Sequence, residues 1–133
     1  MKQKALGNLD AAQLLINTQD IKYCTASIHC SYYAVFQYMK YVLAHTDREP
    51  VSYVLQSKLA NDHSSHGYII DQIKQRIVKP KDARDFVQDI RALKRDRVDA
   101  DYEARLFSVD ESLECRQQAD RLIRKLKTYF GNI

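Results

Sequence analysis

Between Asp20 and His45 the sequence DIKYCTASIHCSYYAVFQYMKYVLAH holds no proline or glycine and sets an apolar or small residue at nearly every turn. The pattern predicts one long helix, roughly 40 Å at ~1.5 Å per residue, with Asp20 as its N-cap. Ala26, Cys30, Tyr33 and Gln37 share one stripe, and Ser27, Ser31, Ala34 and Tyr38 lie beside it. Small side chains therefore surround much of the helix, so neighbours can approach from more than one side. Few polar residues interrupt it before Lys40, which marks it as a central spine.

The same periodicity divides the rest of the chain. Ala5, Leu9, Ala12 and Ile16, widened by Leu6 and Leu15, predict a first helix over Lys4 to Asn17. Thr18 and Gln19 leave only a short connection, which favours an antiparallel pair with the spine. After His45 the stretch TDREP reads as a turn that Pro50 bars from continuing as helix. A shorter helix over Val51 to Ala60 is expected next, then a break at Asn61 and Asp62. Ser64 or Ser65 can cap a further helix reaching Val78, with Ile69, Ile70, Ile73 and Ile77 as its apolar face and Pro80 as its end. Ala83, Phe86, Ile90, Leu93, Arg97 and Ala100 alternate three and four apart along a helix from Asp82 to Tyr102. Glu103 to Phe107 is a loop, and Ser108 with Glu111 has capping-box spacing for the last helix. Leu113, Leu122, Ile123, Leu126 and Phe130 form its buried side, and Gly131 is its stop. The expected fold is all-α, a single-domain antiparallel up-and-down bundle of four to five helices.

Composition agrees. In 133 residues, 45% are hydrophobic, 29% are charged, and three glycines with two prolines are too few for a turn-rich β fold. Cys24, Cys30 and Cys115 are odd in number and lack CxxC spacing, which speaks against a disulfide framework or zinc knuckle and fits a reducing cytoplasm. No run of ~20 apolar residues suits a membrane span, and the first residues lack the uncharged apolar run of a signal peptide. A soluble, cytoplasmic protein without membrane association, metal or cofactor is expected.

Charge and one misplaced residue bring in candidate chemistry. The net charge is only +4, yet nine Lys or Arg stand between Lys74 and Arg97 against four Asp. Such an excess favours a polyanion, although a solvated face with i,i+4 pairs such as Arg95 with Asp99 has the same composition. Arg97 continues an apolar stripe. Either its stem lies on the core with its head paired to Asp101, or it lines a half-buried cleft where the guanidinium meets a phosphate or a carboxylate.

Three segments resemble the HEPN domain, of the small stand-alone prokaryotic type: Ala26 with Ser31-Tyr32-Tyr33-Ala34-Val35-Phe36 in the spine, Ser65-His66-Gly67-Tyr68-Ile69-Ile70, and Arg97-Val98-Asp99-Ala100-Asp101-Tyr102. Their order and spacing cover the whole chain. The resemblance implies a homodimer in which the arginine-bearing helices face a shared cleft. It also implies RNA cleavage or a role in a toxin–antitoxin-like module with a minimal nucleotidyltransferase, which in some modules adenylates the motif tyrosine, here Tyr102. Active members carry an arginine, a polar residue and then a histidine. Arg95-Asp96 opens that pattern and Tyr102 closes it, but Ala100 stands at the histidine's place.

The substitution has a chemical consequence. Metal-free RNA cleavage needs a group that moves a proton near neutral pH, a task suited to histidine and impossible for alanine. Arg95, Arg97, Asp101 and Tyr102 keep the means to bind a phosphate or nucleotide, and His66 can join them from the neighbouring helix start. The expected function is therefore a nucleotide- and RNA-binding interaction module without the usual ribonuclease activity. One rival is a metal-independent ribonuclease toxin using His66 or Tyr102 as acid or base, and another is a purely structural dimerisation adaptor. His63 and His66 also read as exposed turn residues, and with Asp62 or Asp71 they make only an unspecific metal pattern. His29 reads as a satisfied core or interface histidine, and Tyr32 and Tyr33 as core rather than base-stacking platforms.

Overall fold

A computed structural model describes residues 1–60, 65–131 and 133. Among them are six helices and no strand: α1 (Lys2–Asn17), α2 (Ile21–His45), α3 (Tyr53–Leu59), α4 (Ser65–Arg76), α5 (Pro80–Tyr102) and α6 (Val109–Phe130). The fold is all-α, a helical bundle, as the periodicity predicts. Helix α2 is its spine and packs against α1, α4, α5 and α6. Its small residues Ser27, Ser31 and Ala34 are fully buried, as are Ile28, Tyr32, Val35, Tyr38 and Met39.

Cross-helix contacts give the directions. Asn8 donates to Gln37 while Ile16 lies by Cys24, so α1 runs antiparallel to α2. Helix α6 runs parallel to α2, because Ser112 bonds near its start at Cys24 and Ile133 near its middle at Tyr38. Helix α5 opposes both, with Asp101 beside His29 and Lys125 beside Asp89.

Local signals account for most helix ends. The Asp20 carboxylate accepts from Lys22 N–H, Ser108 and Glu111 close a capping box, and Gly131 stops α6 at φ +81°. Ser52 caps α3, so that helix begins at Tyr53 instead of Val51. Two further boundaries depart from expectation. Helix α4 stops at Arg76, leaving Ile77 buried outside it and Val78 exposed. Pro80 then opens α5 rather than merely ending α4, because a proline at the first helical position loses no hydrogen bond. The six helices, one of them the short α3, are roughly consistent with the expected bundle of four to five, and α1 begins at Lys2 instead of Lys4. The expected break at Asn61 and Asp62, and the alternative cap Ser64, lie outside the described residues.

The loop between α5 and α6 is tied down at both faces. Arg105 bonds Asp99 at 3.0 Å and Glu111 at 2.9 Å, lies 3.6 Å from Asp96, and sits over the Phe107 ring. Arg105 thus takes the carboxylate expected to pair with Arg95. Beneath it, the buried Thr25 hydroxyl accepts from Phe107 N–H at 2.9 Å and donates to the Ile21 carbonyl. Replacing Thr25 by Val keeps the volume and strands the Phe107 donor, so urea denaturation should show a loss of about 1–3 kcal/mol. A change below about 0.5 kcal/mol, the range of an uneventful surface substitution, would show that this bond does not secure the loop.

Candidate functional site

Three helices, α2, α4 and α5, bring one cluster together, and its centre is Arg97. The α5 stripe of Ala83, Phe86, Ile90 and Leu93 is buried, and Arg97 extends it at only 6% exposure. Its guanidinium carbon lies 5.1 Å from the Tyr32 ring centre and 5.6 Å from that of Tyr33. Nη1 is 3.5 Å from Asp101 Oδ2, and the buried Nε has no hydrogen-bond partner. Cation–π contact and one long ion pair hold the charge, yet a donor remains unmatched.

His66 enters from the start of α4. Its ring stacks on Phe36 at 4.3 Å and lies parallel to Tyr32 at 5.5 Å, with Nδ1 2.7 Å from the Tyr32 hydroxyl. This corrects the reading of His66 as an exposed turn residue. Burial raises the Tyr32 pKa far above the ordinary range, so its hydroxyl keeps its proton, and in the tautomer of His66 that carries its proton on Nε2 it donates that proton to Nδ1. Burial, and next the charges of Lys94, Arg97 and Lys40, bring the His66 pKa down to about 4. His66 is thus a neutral donor near pH 7.

Lys94 and Lys40 complete the cluster. Burial and then Arg97 and Arg91 lower the Lys94 pKa. Lys40 Nζ lies 5.8 Å from the Phe36 ring centre. Neither forms an ion pair among the described residues, so the one carboxylate bonded within the cluster is that of Asp101. That carboxylate is divided, because Oδ2 also lies 2.8 Å from Nδ1 of His29. Three cations and a neutral N–H donor thus gather where there is one carboxylate, which only Arg97 and His29 contact, an arrangement suited to an oxyanion.

The expected site residues separate into two groups. Arg97, Asp101 and His66 belong to this cluster. Arg95, two positions from Arg97, is exposed on another face of α5, in open grooves of about 620 and 340 Å³. Lys74, Arg84 and Arg91 line the smaller groove with it, and no acidic residue does. Tyr102 is 74% exposed at the end of α5. Ala100 is half-buried against the core. Asp71 is exposed, His63 and Asp62 lie outside the described residues, and no group of three metal-ligating side chains gathers among those described.

Sequence reasoning missed Lys40, Lys94 and His29. Lys94 precedes Arg97 by one turn and Lys40 follows Phe36 by one turn, so both were detectable once those anchors were assigned to the site. Of the two readings of His29, a satisfied core or interface histidine, the core one is corrected: half its side chain is exposed, and its ring lies against Tyr33 at 4.5 Å. Tyr32 is fully buried, as expected, but also serves the site through His66.

Comparison with protein families adds the relationship that the bundle suggests. The family model described as HEPN domain matches residues 1–129. The chain belongs to the HEPN domain family. Comparisons with curated proteins and with solved structures give no match. In this HEPN domain, then, the arginine-bearing helix contributes Arg97 and Asp101 to the cluster, while the aromatic spine and α4 supply its walls. No helix among the described residues is long and apolar enough to cross a membrane.

The depressed His66 pKa has a measurable consequence. As pH falls, His66 of the unfolded chain takes a proton near 6.5, while the folded chain leaves it neutral until about 4. Its contribution to stability therefore declines between those values and is constant below them. The His66 ring protons should titrate by NMR with a midpoint near pH 4, and His66→Gln should flatten the fall of stability across that interval. A midpoint near 6.5 would mean that His66 stands in water instead.

Proposed function

We propose that the chain is a nucleotide- and RNA-binding interaction module that takes a phosphate at Arg97, Lys94, Lys40 and His66. The observation that carries this reading is the buried Arg97 with its unpartnered Nε in a cluster where cations outnumber carboxylates. A phosphate oxygen would satisfy that donor and offset the mutual repulsion of the lysines and arginine. The smaller exposed groove, lined by Lys74, Arg84, Arg91 and Arg95, extends the positive surface, so an RNA backbone can continue past the phosphate that Arg97 holds.

The interaction role is a homodimer paired with a minimal nucleotidyltransferase in a toxin–antitoxin-like system. Membership of the family and the exposed Tyr102 support it, since the tyrosine hydroxyl is open to a modifying partner. The family's usual ribonuclease group is missing from α5, where Ala100 replaces it. His66 is a poor substitute, with Nδ1 engaged by Tyr32 and a pKa about 4. A purely structural adaptor would have no use for the orphaned Arg97 donor.

Binding of a fluorescent adenine mononucleotide and of a labelled single-stranded RNA separates the two surfaces. Lys94→Ala and Arg97→Lys should each weaken both ligands about tenfold, the loss of one charge-assisted hydrogen bond. Arg95→Ala should leave the mononucleotide unaffected and reduce the salt dependence of RNA binding by about one phosphate contact. In the same preparations, sedimentation should report a dimer, and a co-expressed nucleotidyltransferase should modify wild type but not Tyr102→Phe. Undiminished binding in Lys94→Ala and Arg97→Lys would refute the phosphate site.

A further inference from the structure

We infer that the small cavity between α2, α3 and α4 is a base subsite beside the phosphate cluster, taking the amino edge of a nucleobase such as adenine or cytosine at Gln56. The inference rests on the phosphate site proposed above and adds residues that site does not use. Its independent observation is a second buried and unmatched polar atom. Gln56 is only 2% exposed, the one buried residue of α3, and its Oε1 has no hydrogen-bond partner among the described residues.

The backbone fixes which end of that amide is unmatched. Its Nε2 donates to the Lys40 carbonyl at 3.1 Å and to the Val51 carbonyl at 2.8 Å. A carbonyl only accepts, so the nitrogen has to face both, and both of its protons are engaged. What remains for a ligand is an acceptor. A buried acceptor discriminates strongly, because a ligand that brings no donor leaves it unmatched. The exocyclic amines of adenine and cytosine bring an N–H, whereas hypoxanthine and uracil carry a carbonyl oxygen at the same ring position.

Size and position agree with a base edge. The cavity measures about 70 Å³, with Phe36 and Ala60 among its apolar walls and Lys40, Ser57 and Ser65 among its polar ones. At ~30 Å³ of liquid per water, it holds the amino edge of a base rather than the whole ring. The rest of the ring then lies toward solvent, where the exposed Ser57 and Ser65 offer hydroxyls to its ring nitrogens. Phe36 and Lys40 belong to the phosphate cluster as well. His66 stacks on Phe36 at 4.3 Å, and Lys40 Nζ lies 5.8 Å from the same ring centre. The Phe36 ring is 6.1 Å from that of Tyr32, which in turn lies 5.1 Å from the Arg97 guanidinium carbon. Two ring spacings therefore separate the arginine from the cavity wall, a span that the phosphate and base of one mononucleotide bridge.

The test varies the ligand on the full chain, because substituting Gln56 would also release α3. Affinities for the monophosphates of adenosine, inosine, cytidine and uridine are measured by calorimetry beside that for inorganic phosphate. Adenosine monophosphate should bind about tenfold more tightly than inosine monophosphate, and cytidine monophosphate should exceed uridine monophosphate by a similar factor. In NMR spectra the Gln56 side-chain amide signals should move with adenosine monophosphate and stay in place with inorganic phosphate. Ala60→Leu, which fills the cavity, should bring adenosine monophosphate down to the affinity of inosine monophosphate. Equal affinity for the four nucleotides, all weakened by Arg97→Lys, would overturn the base subsite alone. A preference for adenosine that survives Ala60→Leu would overturn it too. Failure of every nucleotide and of inorganic phosphate to bind would overturn the phosphate site, and the base subsite with it.

Discussion

The burial of Arg97 is the constraint around which the cluster is arranged. A guanidinium cannot shed its charge, so a position on the core stripe of α5 has to be supplied with other compensation. Tyr32 and Tyr33 offer their ring faces, and Asp101, one turn further along α5, offers a carboxylate. These contacts explain why the spine carries two consecutive tyrosines at this level, one fully buried and one half-buried. They do not complete the accounting, because Nε remains without an acceptor in a buried environment. The cost of that omission is the physical argument for an anionic ligand.

The surrounding charges strengthen the same argument. Asp96 and Asp99, which could have neutralised the basic face, are engaged by Arg105 at the loop after α5. Lys94 and Arg91 are left without ion pairs among the described residues, and Lys40 of α2 adds a third cation near His66. Burial and these cations keep His66 neutral, so it contributes a hydrogen-bond donor without adding to the repulsion. One carboxylate then serves both Arg97 and His29, which couples the binding residue to the one exposed histidine beside it.

Much of the fold was legible because helix periodicity is local. The stripe ending at Arg97, the caps at Asp20 and Ser108, and Gly131 all follow from spacing within about two turns. Pro80 was ambiguous, since the same ring that bars helix continuation also suits a helix start. The site was harder to read. Arg97 announced itself by interrupting an apolar stripe, and Asp101 by standing four residues on. Which residues of α2 and α4 meet them depends on the register between helices, and no single-helix pattern encodes that. His29, read as a core or interface histidine, is therefore half exposed, and His66, read both as a binding residue and as an exposed turn residue, is stacked. Arg95 and Arg97 are equivalent in sequence, but two residues turn a helix by about 200°, so the pair cannot meet at one phosphate.

The central claim is that Arg97 and its neighbours hold a phosphate, and the most direct measurement is NMR observation of the Arg97 Nε–H resonance during titration with adenosine monophosphate. Saturable movement of that signal, together with the Lys94 and His66 side-chain signals and with the same dissociation constant, is the predicted result. An Arg97 resonance that stays in place while the ligand binds elsewhere, or while none binds, would contradict the account.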